Sequence, residues 1–316
     1  MPLLIVVLGI CFLLFLILVL KFNSFLSFVI VSLAVGIAEG MTLDKTIISI
    51  ENGIGTTMGF LVLILGFGSM LGKLVSESGA AQKITSRLIK AFGLKHIQLA
   101  LMLTGFIVGV SLFYDVGFFI MIPLIFTVAA STGLPLLYVG LPMLAALSVT
   151  HGYLPPHPAP TAIVAMFHAD LGKTLVYGII VAIPAIIISG PILSKALSKI
   201  EAKPLKEFIN QKPLTDEEMP GFWVSFFSAL LPVILITIST IAGFLLSEDN
   251  EIRKVLGWIG NPVFAMLLSV LFAICTLGLA RGRKITDIMN SLAHSVTSIP
   301  MIMLLIAGAG ALKQVL

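Results

Sequence analysis

Charge-free apolar runs dominate the chain. They cover residues 1–20, 22–38, 97–114, 116–150, 174–194, 219–247, 255–280 and 295–312. A helix rising 1.5 Å per residue needs about 20 apolar residues to cross a ~30 Å hydrocarbon layer, so most of these runs predict one crossing each. The 116–150 run is too long for one and is punctuated by Pro123, Gly133, Pro135 and Pro142. It predicts a crossing to about residue 131, a Ser-Thr-Gly-Leu-Pro turn, and the start of a further segment.

Polar stretches separate these runs. Residues 73–96 carry Lys73, Lys83, Arg87, Lys90 and Lys95, with Ile84, Leu88 and Phe92 on one helical face, which predicts an amphipathic interfacial arm. Residues 195–218 hold five lysines and five acids around Pro204 and Pro213, a solvated linker. Residues 248–254 form a short, mainly acidic loop, and Arg281, Arg283 and Lys284 a basic one. The positive-inside rule places 281–284 and 195–218 in the cytoplasm and 248–254 outside. The lysines of 73–95 argue for a cytoplasmic arm, whereas the neutral N-terminus followed by Lys21 argues for an external N-terminus.

Composition sharpens the class. The 316 residues are 58% hydrophobic and only 11% charged, with a mean hydropathy of +1.13. Soluble domains carry about 25% charged residues, so the chain reads as an all-α polytopic membrane protein. The net charge of +4 fits basic cytoplasmic loops, and no nucleic-acid partner is expected. Cys11 and Cys275 lie inside apolar runs and read as packing residues, with no disulfide or metal site.

A faint internal repeat adds organisation. Residues 56–75 (TTMGFLVLILGFGSMLGKLV) and 297–316 (TSIPMIMLLIAGAGALKQVL) share hydroxyl residues, an apolar run, a small-residue stretch and then a lysine. Internal repeats are how many secondary transporters are built. With this repeat, the chain ends inside the second copy, which leads to the expectation of a C-terminally truncated sequence. The domain reading is a first repeat over 1–194, a polar linker over 195–220, and the start of a second repeat over 221–316. The first repeat holds a hairpin near 54–75, an interfacial arm over 76–96 and a broken helix around 151–160.

Several residues could carry chemistry inside these apolar runs. The strongest feature is His151-Gly-Tyr-Leu-Pro-Pro-His-Pro-Ala-Pro160, whose four prolines cannot continue a helix. Flanked by the apolar arms 136–150 and 161–167, it predicts a discontinuous helix whose freed backbone groups could hold an anion or a coupling ion. Candidate substrate-binding positions there are His151, Gly152, Pro155, Pro156 and His157. Either histidine could carry a proton, or satisfy carbonyls freed by the break. Asp115 is the only acid between Glu77 and Asp170. An ionisable group in an apolar span is a functional candidate, here for proton coupling, unless 114–117 is an interfacial turn. Gly66, Gly68 and Ser69 read as the tip of a re-entrant hairpin with N–H groups for a carboxylate, or as close helix packing. Gly308 and Gly310 are their counterpart.

The run Gly66-Phe-Gly-Ser-Met-Leu-Gly-Lys, the Ser-Leu-Phe-Tyr-Asp-Val-Gly segment at 111–117 and above all the motif at 151–160 resemble the gluconate permease family. The Gly/Ala-rich stretch followed by Leu-Lys-Gln-Val-Leu at 312–316 is similar too. The resemblance implies an ion-transporter-superfamily fold of inverted repeats with re-entrant hairpins and a broken helix. It implies a multi-pass transporter of the bacterial inner membrane that imports gluconate or a related sugar acid by proton symport. No cofactor is implied beyond the coupling proton, with sodium less favoured, and a homodimer is compatible with the family. Inverted repeats require hairpins entering from opposite sides, which favours the repeat over the lysines of 73–95 in orienting the arm.

The alternatives are an ion-coupled carrier or antiporter for another organic anion, citrate-like or a dicarboxylate, and, remotely, a membrane enzyme. No intramembrane arginine is available to pair a second carboxylate, which favours a monoacid. An enzyme would need a polar catalytic cluster, and a channel a ring of repeated polar residues; the sequence shows neither.

Overall fold

A computed structural model describes residues 2–197, 200, 202, 214–297 and 299–316, with side chains at all of these except Pro2 and Asp115. Every regular element among the described residues is helical. Of the expected 195–220 linker, residues 198, 199, 201 and 203–213 lie outside the described residues.

The helices run α1 (Pro2–Leu14, continued by a π-turn to Val19), α2 (Ser24–Ala38), α3 (Leu43–Glu77), α4 (Ala80–Phe92), α5 (Ile97–Ser111), α6 (Tyr114–Thr132), α7 (Leu136–Tyr153), α8 (Pro158–Met166) and α9 (Leu171–Ile187, continued to Ala196). They go on as α10 (Phe222–Leu245), α11 (Glu251–Ile259), α12 (Pro262–Ala273), α13 (Ile285–Val296) and α14 (Pro300–Val315). Local chemistry sets many ends. Asn23, Asp170, Asn250 and Asn261 cap α2, α9, α11 and α12 by accepting hydrogen bonds from first-turn N–H groups. Gly133, at φ 69°, ends α6 in the left-handed region that residues with a Cβ avoid. The expected turn at 131–135 is thereby found. Among the described residues six helical stretches, including Leu136–Met166 and Leu171–Ala196, are long and apolar enough to cross a membrane.

Contacts divide the chain into two units. The first holds Met1–Leu63, Ala165–His168 and Thr297–Leu316; the second holds Ile64–Val164 and Ala169–Val296. In the first, Val31, Val35, Ile50, Ala311 and Leu312 form the core. A Cβ on Gly53 would strike the carbonyl of Gly310, and one on Gly310 would strike Thr57, so α3 and α14 touch along their backbones. In the second, α5 and α7 pack most closely, because Gly105 and Gly109 leave room for Met143 and Thr150. Leu101, Val108, Met121, Ile125 and Met143 fill that core. Buried hydroxyls such as those of Thr104, Thr150 and Ser269 donate to carbonyls one turn back, which satisfies them inside apolar helices.

Several expectations are corrected. The hairpin near 54–75 with its tip at 66–69 is one uninterrupted helix of 35 residues, about 52 Å long at 1.5 Å per residue. Its glycines are interior helix positions, and no proline removes a backbone donor; a continuous helix keeps every backbone group paired inside its own segment. Gly308 and Gly310 likewise lie within α14. The 255–280 run does not form one crossing: Asn261 and Pro262 start a new helix, and α11 is a separate amphipathic segment. Cys11 and Cys275 are exposed on the surface rather than packed.

The arm at 76–96 forms α4, with Ile84 fully buried. Its contacts within the second unit are ionic. Lys83 Nζ donates to Asp216 at 2.8 Å, Arg281 donates to the Glu217 carbonyl at 2.6 Å, and Arg283 pairs with Glu77 at 3.0 Å. The arm, the end of the linker and the 281–284 loop thus share one face. That grouping is the one the positive-inside reading of the 73–95 lysines favours.

Candidate functional site

Two interruptions of the helical backbone meet in the second unit. The first separates α5 from α6, where Leu112 and Phe113 are extended, with ψ near 142° and 148°. The second separates α7 from α8. Leu154 is extended there, and Pro155 and Pro156 are joined by a cis peptide bond. Prolines at 155, 156, 158 and 160 supply no N–H for a helix ladder, so the chain must turn. The broken helix expected around 151–160 is present.

Two imidazoles join these breaks. His157 is buried, and its Nε2–H donates to the Gly109 carbonyl at 2.6 Å. That carbonyl belongs to the last turn of α5, where intrahelical donors have run out, so His157 caps the helix end from another segment. His151, in the last turn of α7, accepts the Tyr114 N–H at Nδ1 over 3.3 Å. It therefore caps the start of α6. The two rings lie 4.6 Å apart, and Phe113 stands 6.3 and 6.4 Å from them.

A small cavity adjoins this junction. Gly68, Ser111, Pro156, His157, Pro232 and Met266 line it, and its volume is about 10 Å³. That is room for about one water molecule. A six-carbon acid does not fit unless the breaks move apart.

The structure thus brings together Gly68, His151, Pro155, Pro156 and His157 of the expected site. Asp115 follows Tyr114 directly in the first turn of α6, and its side chain lies outside the described residues. The other expected positions have the following neighbours. Ser69 donates to the Ser295 carbonyl at 2.5 Å and holds α3 to α13. Among the described residues, no neighbouring segment lies within 4 Å of where a Cβ would stand on Gly66 or Gly152. Gly308 and Gly310 belong to the first unit, where they admit Phe28 and Thr57. Phe113, Tyr114, Ser111 and Pro232 were not anticipated. The signal for the first two was their place beside Asp115, at an aromatic pair ending an apolar run.

Comparison with known proteins places the sequence in a family. The GntP family permease model covers residues 1–316. The chain is 49% identical over 316 residues to the Gnt-II system L-idonate transporter of Escherichia coli (strain K12), covering 100% of this chain and 72% of that one. It is 51% identical over 317 residues to a high-affinity gluconate transporter of the same organism, with the same coverage. It is 44% identical over 326 residues to the gluconate permease of Bacillus subtilis (strain 168), covering 100% and 73%. With its broken helices, its apolar spans and a match along its whole length, the chain belongs to the GntP permease family.

Proposed function

We propose that this multi-pass protein of the bacterial inner membrane imports gluconate or a related sugar acid, such as L-idonate, by proton symport. The observation that carries this reading is the junction itself. Freed backbone groups, two imidazoles and the start of the Asp115 turn converge within otherwise apolar helices. Ionisable groups at such a place are costly and are retained for transport chemistry. The relatives' names supply the substrate class, a monocarboxylate rich in hydroxyls.

The division of labour follows from the hydrogen bonds. His157 is committed to the end of α5 and acts as a positioning residue. His151 and Asp115 carry the coupling. Neutral His151 accepts the Tyr114 N–H at Nδ1, so its own proton sits on Nε2. A second proton would occupy Nδ1 and break that bond, releasing the first turn of α6 beside Asp115. Protonation and backbone movement are thereby linked. A proton taken with the anion brings the loaded site nearer to neutrality, which lowers the cost of moving it through hydrocarbon. Imidazole chemistry favours a proton over sodium as the coupling ion.

Inverted repeats are the architecture this reading uses. Within the first unit, Gly53 faces Gly310, Ala311 and Gln314, while Thr57 faces Gly310. Within the second, Ser69 reaches Ser295, and Glu77 accepts from Ser291 at 2.6 Å. In each unit α3 runs opposite to its partner segment, which supports repeats of opposite direction. The hairpins of that architecture have no support in the continuous α3.

Uptake of labelled gluconate by cells expressing the gene tests the reading. We expect accumulation that collapses with a protonophore, is competed by L-idonate and is unaffected by dicarboxylates. Dicarboxylate competition, or no uptake despite good membrane insertion, would overturn it. Asp115→Asn should still exchange gluconate across the membrane but no longer concentrate it. Accumulation by that variant would remove Asp115 from the coupling role.

A further inference from the structure

We propose that the face formed by α4 and the start of α10 is a binding site for the headgroup of an anionic phospholipid. A cavity of about 460 Å³ opens there, lined by Lys83, Arg87, Lys90, Asp216, Phe222 and Trp223. Three cations against one carboxylate leave the lining with an excess of two positive charges. Lys83 and Lys90 lie 2.8 and 3.8 Å from Asp216. Arg87 is exposed and makes no ion pair or hydrogen bond among the described residues. Its guanidinium fork is therefore available for the two free oxygens of a phosphodiester, a geometry that favours paired N–H···O bonds.

Position selects a lipid over a soluble anion. Trp223 is 65% exposed in the first turn of α10, a helix long and apolar enough to span the membrane. Tryptophan at the end of such a helix sits at headgroup level. Helix α4 carries its cations at that same end and buries Ile84 against the core, as an interfacial helix does. The face also bears the 281–284 basic loop through Arg283 and Glu77, so it is the cytoplasmic one by the positive-inside rule. Basic cavities beside spanning helices on that side suit anionic headgroups. Acyl chains would lie along the exposed apolar side of α10, which carries Val224 and Phe227.

The experiment uses the purified protein in nanodiscs of phosphatidylcholine alone or with phosphatidylglycerol, read by lipid retained in native mass spectrometry and by melting temperature. The wild type should retain phosphatidylglycerol selectively and melt higher in its presence. Arg87→Gln and Lys90→Gln, both exposed, should each melt like the wild type in phosphatidylcholine. Arg87→Gln should bind phosphatidylglycerol about tenfold more weakly, the change expected when a charge-assisted pair worth ~1.4 kcal/mol is lost. Lys90→Gln should weaken it to a lesser degree. Unchanged retention by both variants would overturn the proposal. So would an equal rise in melting temperature from soluble glycerol phosphate, which would make the cavity a site for free phosphate compounds.

Discussion

His157 and His151 stand six residues apart in one motif and do opposite things. His157 ties up a carbonyl that has no helical donor, so His157→Ala should cost about 1–3 kcal/mol, the penalty for stranding a buried acceptor. Thermal melting of the purified protein should fall accordingly. His151→Gln should melt near the wild type and yet fail to accumulate gluconate; loss of stability without loss of coupling would reverse the two roles. Gly105→Ala is the packing test. Its new methyl meets the main-chain carbonyl of Met143, which cannot rotate away, and overpacking of this kind costs about 1–3 kcal/mol. A melting temperature equal to the wild type would contradict the close approach of α5 and α7. The proline cluster made the break at 151–160 legible in the sequence, because missing donors are a local property. That a histidine there could satisfy a freed carbonyl was legible as one of two readings; that the carbonyl is Gly109 was not, since it lies 48 residues away. The hairpin tip read at 66–69 misled for a related reason: small residues occur at a hairpin tip and inside a continuous helix alike.

At the scale of elements, apolar runs located most helices, and the errors fell where charge was a poor guide to ends. Asn261-Pro262 carries a clear helix-start signature, an amide cap followed by proline at the first turn, yet it lies inside a charge-free run. Helix α3 begins among Asp44, Lys45 and Glu51, so its first turns fall outside the charge-free runs. Helix α4 was legible from its periodicity, and its docking depends on charge. Lys83 donates to Asp216 and Lys90 adds positive charge, which holds that carboxyl below its ordinary value of 3.8. A depressed carboxylate stabilises the folded state above its unfolded pKa and loses that contribution as pH falls through the folded one. Residues 214–218 should therefore stay docked on α4 at neutral pH and come away only at acidities below pH 3.8. Hydrogen exchange over 214–218, corrected for intrinsic rates, should show this. Release near neutral pH, or Lys83→Gln without effect at pH 7, would contradict it.

For the whole molecule, the class was evident from hydropathy alone, and the family resemblance from several stretches, above all the motif at 151–160 whose prolines and histidines have a shared structural cause. What sequence could not supply was closure. The cavity at the junction holds about one water, so the proposed binding of a sugar acid there requires the α5–α6 and α7–α8 breaks to separate. In the proposed cycle, protonation of His151 at Nδ1 triggers that separation by removing the bond to Tyr114. The account therefore stands on protons moving with the substrate. The most direct measurement is the internal pH of proteoliposomes containing the protein when gluconate is added outside, with no other gradient. The account predicts acidification of the lumen that depends on gluconate and is absent in the Asp115→Asn protein. Gluconate entry at the wild-type rate with no change in internal pH would contradict it.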